Sequence, residues 1–186
     1  MTTIINLLDD DTRPKAPKIE GVTPDQRRAG RRLALIHQLY LREIEAVEEI
    51  ARRIEAGEAV AAEMAAAASG LQMADNLRLF GNLCGAQCEM LTVHHTIEDH
   101  ELFPRLRGGS EGLRKVVDRL AQEHEVIHAI IDRLENEARA VLETPDAGHF
   151  AALRETFGLL AGIVRSHFGY EQSELEEAIG YHGVPM

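Results

Sequence analysis

Residues 110–143 read SEGLRKVVDRLAQEHEVIHAIIDRLENEARAVLE. Within them Leu113, Val117, Leu120, His124, Ile127, Ile131, Leu134 and Ala138 recur at threes and fours, the spacing that stacks side chains on one face of an α-helix. Ser110 follows Gly108-Gly109, and Thr144-Pro145-Asp146 comes next in the chain, so both ends carry helix punctuation. One position breaks the apolar stripe. His124 stands between Leu120 and Ile127, and His128 follows one turn later.

The same period appears on either side. Upstream, Leu33, Ile36, Tyr40, Ile44, Val47, Ala51 and Ile54 predict a helix. Thr23-Pro24-Asp25 opens it, with a cap, a proline in the first turn and an acid behind it, and Gly57 is its expected stop. Residues 58–68 are alanine-rich and read as a helical connector closed by Ser69-Gly70. A second long helix is expected from about Leu71 to Leu102, with the stripe Phe80, Cys84, Gln87, Leu91, His94 and Glu98, ended by Pro104 and Gly108-Gly109. Downstream, Leu153, Phe157, Leu160, Val164, His167, Glu171 and Leu175 mark a fourth helix, with Gly180 as its end. No stretch alternates at period two over a useful length. The expected fold is all-α: an antiparallel up-down-up-down four-helix bundle over residues 24–182, behind a flexible N-terminal arm, residues 1–23, that contains Pro14 and Pro17.

Composition narrows the function. A chain of 186 residues suits one domain. Twenty basic against 31 acidic residues leave a net charge of −11, which argues against nucleic acid and anionic membrane as partners. Aromatics are 4% with no Trp, so a base-stacking platform is not expected. No apolar run approaches the roughly 18 residues of a membrane span, and the N-terminus lacks a basic region and ends in Asp9-Asp10-Asp11, unlike a secretory leader. Two cysteines, Cys84 and Cys88, are too few for a disulfide framework and read as small buried thiols. These features predict a cytoplasmic protein.

The nine histidines are the outlier. Three stripes carry ligand-type residues where apolar ones belong: His94 and Glu98, His124 with His128, and His167 and Glu171. His37, beside Ile36, shares a face with Leu33, Leu41 and Ile44. A pair at i, i+4 offers two ligands from one rigid element. Burying an unpaired carboxylate costs several kcal/mol unless it is paired or binds a metal, yet Glu98 and Glu171 both fall in core phase, each one turn after a histidine. The level agrees as well. His37 lies 13 residues past Pro24, and His124 and His128 lie 14 and 18 past Ser110. His94 and Glu98 precede Leu102 by 8 and 4, and His167 and Glu171 precede Gly180 by 13 and 9. At about 1.5 Å per residue these depths overlap within about two turns. Five histidines and two carboxylates can then converge, an inventory that fits two octahedral metals bridged by carboxylates with a position left open for a small ligand. Ile44, Leu91, Ile127, Ile131 and Val164 would keep the pocket dry and narrow.

The run His94-His95-Thr96-Ile97-Glu98-Asp99-His100-Glu101-Leu102-Phe103-Pro104, with Glu123-His124-Glu125-Val126-Ile127-His128 and His167-Phe168-Gly169-Tyr170-Glu171, resembles the hemerythrin-like (HHE cation-binding) family over about residues 24–180. The resemblance implies a non-haem di-iron centre inside a four-helix bundle. His37, His94, His124, His128 and His167 would be its terminal imidazole ligands and Glu98 and Glu171 its bridges. It implies two Fe ions, oxo- or hydroxo-bridged, with Mn or Zn left open by the donor types. The ligand would be a small diatomic or a peroxide: O2, H2O2 or NO. The last pair is His-x3-Glu, where the oxygen-carrying hemerythrins have His-x4-Asp. That sets this chain closer to the intracellular bacterial and regulatory members. An enzyme that consumes peroxide or NO and a module that reports or stores oxygen or iron both remain open, the second needing a still unidentified protein partner.

Two other readings attach to the same residues. His124-Glu125-x-x-His128 has the spacing of a zinc-dependent hydrolase, with Glu125 as general base. A ferritin-like iron-binding bundle needs two Glu-x-x-His motifs, and only Glu125 to His128 supplies one. His95, His100, His149 and His182 fit no stripe and are expected at the surface, with His95 and Asp99 at most outer partners of a site. Tyr40 and Tyr170 read as structural tyrosines whose hydroxyls find partners.

Overall fold

The computed structural model describes residues 10–56, 86–144 and 146–184. Among them every regular element is helical and there is no strand. A 3-10 turn, Asp10–Thr12, is followed by α1, Pro24–Gly30, and α2, Arg32–Glu55. Then come α3, Ala86–Ile97; a single π-helical turn, Glu98–Leu102; and α4, Phe103–Arg107. The two longest helices are α5, Glu111–Glu143, and α6, Ala147–His182. The helical class is as expected. Gly57, the alanine-rich residues 58–68, Ser69-Gly70 and the first half of the expected second helix, with Phe80 and Cys84, lie outside the described residues, as do the side chains of Gln87 and Cys88.

Local chemistry accounts for the helix starts. Thr23 caps α1 with a reciprocal box: the Gln26 amide N–H donates to Thr23 Oγ1 at 3.3 Å, and the Thr23 N–H donates to Gln26 Oε1 at 2.8 Å. The Leu113 N–H donates to Ser110 Oγ at 3.1 Å at the head of α5. The His149 N–H donates to Asp146 Oδ1 at 2.8 Å at the head of α6. The expected first helix carries a slight offset at Arg31 (φ −63°, ψ −8°) rather than running straight through.

Two expected helix ends are corrected. Of the expected stop at Pro104 and Gly108-Gly109, the glycine holds, since α4 ends at Arg107 with Gly108 as its cap, but Pro104 does not end the helix. It stands in the first turn of α4, where its missing N–H is no loss, and the π turn before it closes with the Phe103 N–H on the Glu98 carbonyl. Gly180 does not end the fourth. The helix runs on to His182, and Gly183, at φ +61°, closes it. The Gly183 N–H reaches the Gly180 carbonyl and the Val184 N–H the Ile179 carbonyl, the bond pair of a Schellman motif. Gly180 serves a crossing instead: a Cβ there would stand 2.0 Å from the Gln26 carbonyl oxygen, and one at Gly30 would stand 1.9 Å from that of Glu176. The two glycines let α1 and α6 touch backbone to backbone.

The chain divides into two compact units. One takes the stretches up to Leu39, from Val93 to Ile127 and from Ile163 onward; the other takes Tyr40–Thr92 and His128–Gly162. The first has a core of Leu33, Leu102, Phe103, Leu106, Leu113, Val116, Val117, Leu120, Leu175 and Ile179, with Ala16 and Ile19 of the N-terminal arm packed against it. The second buries Leu91, Ile131, Leu134, Ala138, Leu153, Phe157 and Leu160. All eight stripe positions of α5 and all seven of α6 are buried, including the polar ones. Among the described residues no helix is long and apolar enough to cross a membrane.

Candidate metal centre

Four helices of the first unit bring polar side chains into its interior. α2 carries His37, α3 carries His94 and His95, α5 carries Glu123 and His124, and α6 carries His167 and Glu171. Glu98 is the first residue of the π turn. Exposure is 0% for His37, His95, His167 and Glu171, 1% for His124, 2% for Glu98 and 8% for His94. No solvent therefore offsets the desolvation of two carboxyl groups.

The ligand-type atoms fall into two groups. His37, His94, Glu98 and Glu171 form one, and His95, His124 and His167 the other; within each group the candidate atoms all lie within 4.8 Å of one another. His37 Nε2 stands 3.1 Å from His94 Nε2, and His124 Nε2 stands 3.2 Å from His167 Nε2. The carboxylates reach both groups. Glu98 Oε1 lies 3.1 Å from His94 Nε2 and its Oε2 lies 3.6 Å from His124 Nε2. Glu171 Oε2 lies 3.4 Å from His37 Nε2 and 3.8 Å from His167 Nε2. None of these four carboxylate oxygens has a well-formed hydrogen bond among the described residues. His95 stacks on His124 with ring centroids 3.9 Å apart and planes 9° off parallel.

The far nitrogens of three imidazoles are held from behind. His124 Nδ1 is 2.9 Å from Asp99 Oδ1, and His167 Nδ1 is 3.0 Å from Glu123 Oε2. A carboxylate can only accept, so both rings carry the proton on Nδ1 and leave the Nε2 lone pair facing inward. His37 Nδ1 is 2.9 Å from the Gln172 amide, whose oxygen and nitrogen exchange by a half-turn and so suit either tautomer. Phe168 stacks on His37 at 3.8 Å and 6°, and Phe103 lies against His124 at 5.4 Å and 19°. These rings add an apolar wall.

Electrostatics follow from burial. Desolvation, then the neighbouring His94, His167 and His124, pushes His37 down to about 2. Desolvation with His124 and His167 pushes His94 down to about 3. Burial also lowers His124 and His167, against hydrogen bonds to Asp99 and Glu123 that pull them up. The imidazoles are therefore neutral and their lone pairs available. Desolvation raises Glu98, helped by the Glu171 carboxyl beside it, and desolvation raises Glu171. Such a pair holds a proton unless a cation takes its place. Neutral imidazoles, two adjacent buried carboxyl groups, and Nδ1 atoms already committed form a donor set suited to a divalent or trivalent metal.

Six of the seven residues proposed from sequence lie in the two groups: His37, His94, Glu98 and Glu171 in one, His124 and His167 in the other. His128 is in neither; it is half-buried and belongs to the second unit. His95, expected at the surface, is fully buried and is the third member of the second group. His100 and His182 are exposed and His149 is partly exposed, with its Nδ1 on the Thr144 carbonyl. Glu125 is exposed and joins no group, so a general base is not held beside a metal-sized cluster there. The Tyr40 hydroxyl donates to the Met90 carbonyl at 3.2 Å, and the Tyr170 hydroxyl donates to that of Pro14 at 2.8 Å. Burial, then Glu174 and Glu123, pushes the Tyr170 phenol up. Glu123, Gln172 and Arg13 escaped the sequence reading because their role is set by partners far away in the chain. The position of His95 did leave a signal. His94 and His95 precede Glu98 by four and three residues, so at about 100° per residue Glu98 projects between them on the helix surface.

A helical protein with a buried imidazole and carboxylate cluster is a metal-binding protein by the chemistry of its donors. The family model of the hemerythrin HHE cation-binding domain matches residues 29–179, and the chain belongs to that family. No curated protein and no solved structure matches it significantly. Fold, cluster and family together make it a metal-binding protein of hemerythrin type.

Proposed function

We propose that the chain holds two iron ions in an antiparallel four-helix bundle and there binds or reduces a small ligand: O2, a peroxide or NO. His37 and His94 would serve one ion, His95, His124 and His167 the other, with Glu98 and Glu171 between them. The observation that carries the reading is the pair Glu98 and Glu171. Each is buried, each has no carboxyl partner but the other, and each has imidazole nitrogens of both groups within 3.1–3.8 Å. Bound iron would supply an open coordination position and the electrons for a small oxidant. The chain's own part is to keep the rings neutral, fix their tautomers through Asp99 and Glu123, and exclude water and large substrates with Phe103, Phe168, Ile127 and Val164. Net charge and composition favour a cytoplasmic setting without nucleic acid or membrane partners.

Metal analysis and an optical spectrum of aerobically purified protein test this, beside His124→Ala and His167→Ala. About two irons per chain are expected from the two groups, with a ligand-to-iron charge-transfer band that both variants lose. One zinc that survives His167→Ala and is lost in His124→Ala would overturn the di-iron reading in favour of a hydrolase-type zinc site. Peroxide turnover by the loaded protein, abolished in Glu171→Ala, would make it an enzyme. Reversible ligand binding without turnover would make it a sensor or store.

A further inference from the structure

The N-terminal arm places a cation beside this centre. The Arg13 side chain is 5% exposed and grips Glu123 with both prongs of its guanidinium, Nε to Oε1 and Nη2 to Oε2, each at 2.8 Å. Its third nitrogen, Nη1, donates to Ser166 Oγ at 2.8 Å and meets Asp10 Oδ1 at 2.7 Å. The guanidinium also lies over the Tyr170 ring, 4.7 Å from its centroid. Glu123 is fully buried, and its Oε2, the oxygen that takes Arg13 Nη2, is the one that accepts the His167 Nδ1 proton. Arg119 binds the other oxygen at 2.9 Å. The arm is fastened nearby through the Tyr170 hydroxyl on the Pro14 carbonyl and the Ala16 N–H on Glu174.

A bidentate guanidinium fixes a carboxylate in its plane as well as neutralising it. A carboxylate fixed behind an imidazole sets the ring's tautomer and aim. We propose that Arg13, brought in by the N-terminal arm, is a positioning residue that holds His167 through Glu123, so that release of the arm loosens the inward-facing nitrogen of His167. This deepens the metal-centre reading and rests on it for its function; the hydrogen-bond relay itself does not require a metal.

The test uses full-length protein with 15N-labelled histidine, metal-free, and reads the His167 tautomer by long-range 1H–15N correlation; Co(II) titration follows on the same samples. The variants are Arg13→Gln, Arg13→Lys and Tyr170→Phe. Wild type is expected to show His167 protonated on Nδ1. Arg13→Gln should show a mixed or exchanging tautomer and Co(II) binding weaker by about 10–100-fold, the usual effect of removing an outer partner. Arg13→Lys, which keeps the charge without the fork, should fall between. Tyr170→Phe removes the arm's bond at Pro14 while Arg13 keeps its own bonds to Glu123, and should shift the tautomer less than Arg13→Gln does. A folded Arg13→Gln with the wild-type tautomer and Co(II) affinity overturns the proposal. If Arg13→Gln does not fold, a wild-type tautomer in Arg13→Lys overturns it. A tautomer shift in a protein that binds no Co(II) at all upholds the relay and removes the metal centre.

Discussion

Glu171 has opposite effects with and without a cation. In the metal-free protein it is a fully buried carboxyl, raised by desolvation and set beside Glu98. A folded-state value above the unfolded one gives stability that is full below the ordinary 4.5 and is lost as pH rises. Glu171→Gln removes that loss. The metal-free variant is expected to be more stable than metal-free wild type at pH 7.5 by on the order of 3 kcal/mol, the worth of a rise from 4.5 to about 7, while it no longer retains two metals. Urea denaturation of chelator-treated protein measures the first effect and metal analysis the second; a destabilised Glu171→Gln would mean that the carboxylate has a donor after all. A second comparison separates two histidines. His95→Ala should lower metal content and His128→Ala should leave it within error, because His95 lies in the second group and His128 in neither. Equal losses in both would return His128 to the ligand set. Sequence spacing could not make this choice. His124 and His128 sit on one face of α5 in helical phase, but they are a full turn apart, about 6 Å along the axis. His95 is out of phase with the apolar stripe, and its place shows only when the arc between it and His94 is seen to enclose Glu98.

The elements were legible where they obey a single period. The α5 and α6 stripes are buried at every expected position, because long amphipathic helices declare their inner face in their own sequence. What could not be read was set by a neighbouring element. Glycine and proline read as helix ends, since in isolation they are poor helix residues. Pro104 is tolerated because the π turn at Glu98–Leu102 carries the chain into α4 without needing its N–H, and that turn begins at the carboxylate shared by the two groups. Gly180 is required by α1. Gly180→Ala would drive a methyl group into the Gln26 carbonyl, 2.0 Å away, and Gly30→Ala would meet Glu176 at 1.9 Å. Each is expected to cost about 1–3 kcal/mol, as overpacking does. Gly158, an exposed position on the same α6 with nothing within 4 Å of an added Cβ, should behave in the opposite way. Gly158→Ala should stabilise by about 0.5–1 kcal/mol through helix propensity. Thermal melts of the three variants check the crossing: a neutral Gly180→Ala would show that α1 moves aside freely.

At the scale of the whole molecule, metal binding and folding are one equilibrium. A cation that binds only the folded chain adds about 2.7 kcal/mol at a hundredfold excess over its dissociation constant, and for a chain of this length that raises Tm by roughly 5–10 °C. The size of the rise depends on pH, and the buried imidazoles and carboxyl groups set its sign. His37 and His94 are held neutral by burial with or without metal, so their refusal of protons destabilises both forms alike as pH falls below the ordinary 6.5, and it cancels from the difference. Glu98 and Glu171 do not cancel. Without metal their values are raised, and metal-free stability falls as pH climbs above 4.5. With metal between them their charged forms are favoured and that fall disappears. The gap in Tm between loaded and metal-free protein should therefore widen steadily from pH 5 to pH 8, and part of the widening should vanish in Glu171→Gln, leaving the share that Glu98 carries. Paired melts across that range, at fixed free metal, measure it. A gap that stays constant would place the metal away from the two carboxylates and leave their burial without the compensation assigned to it.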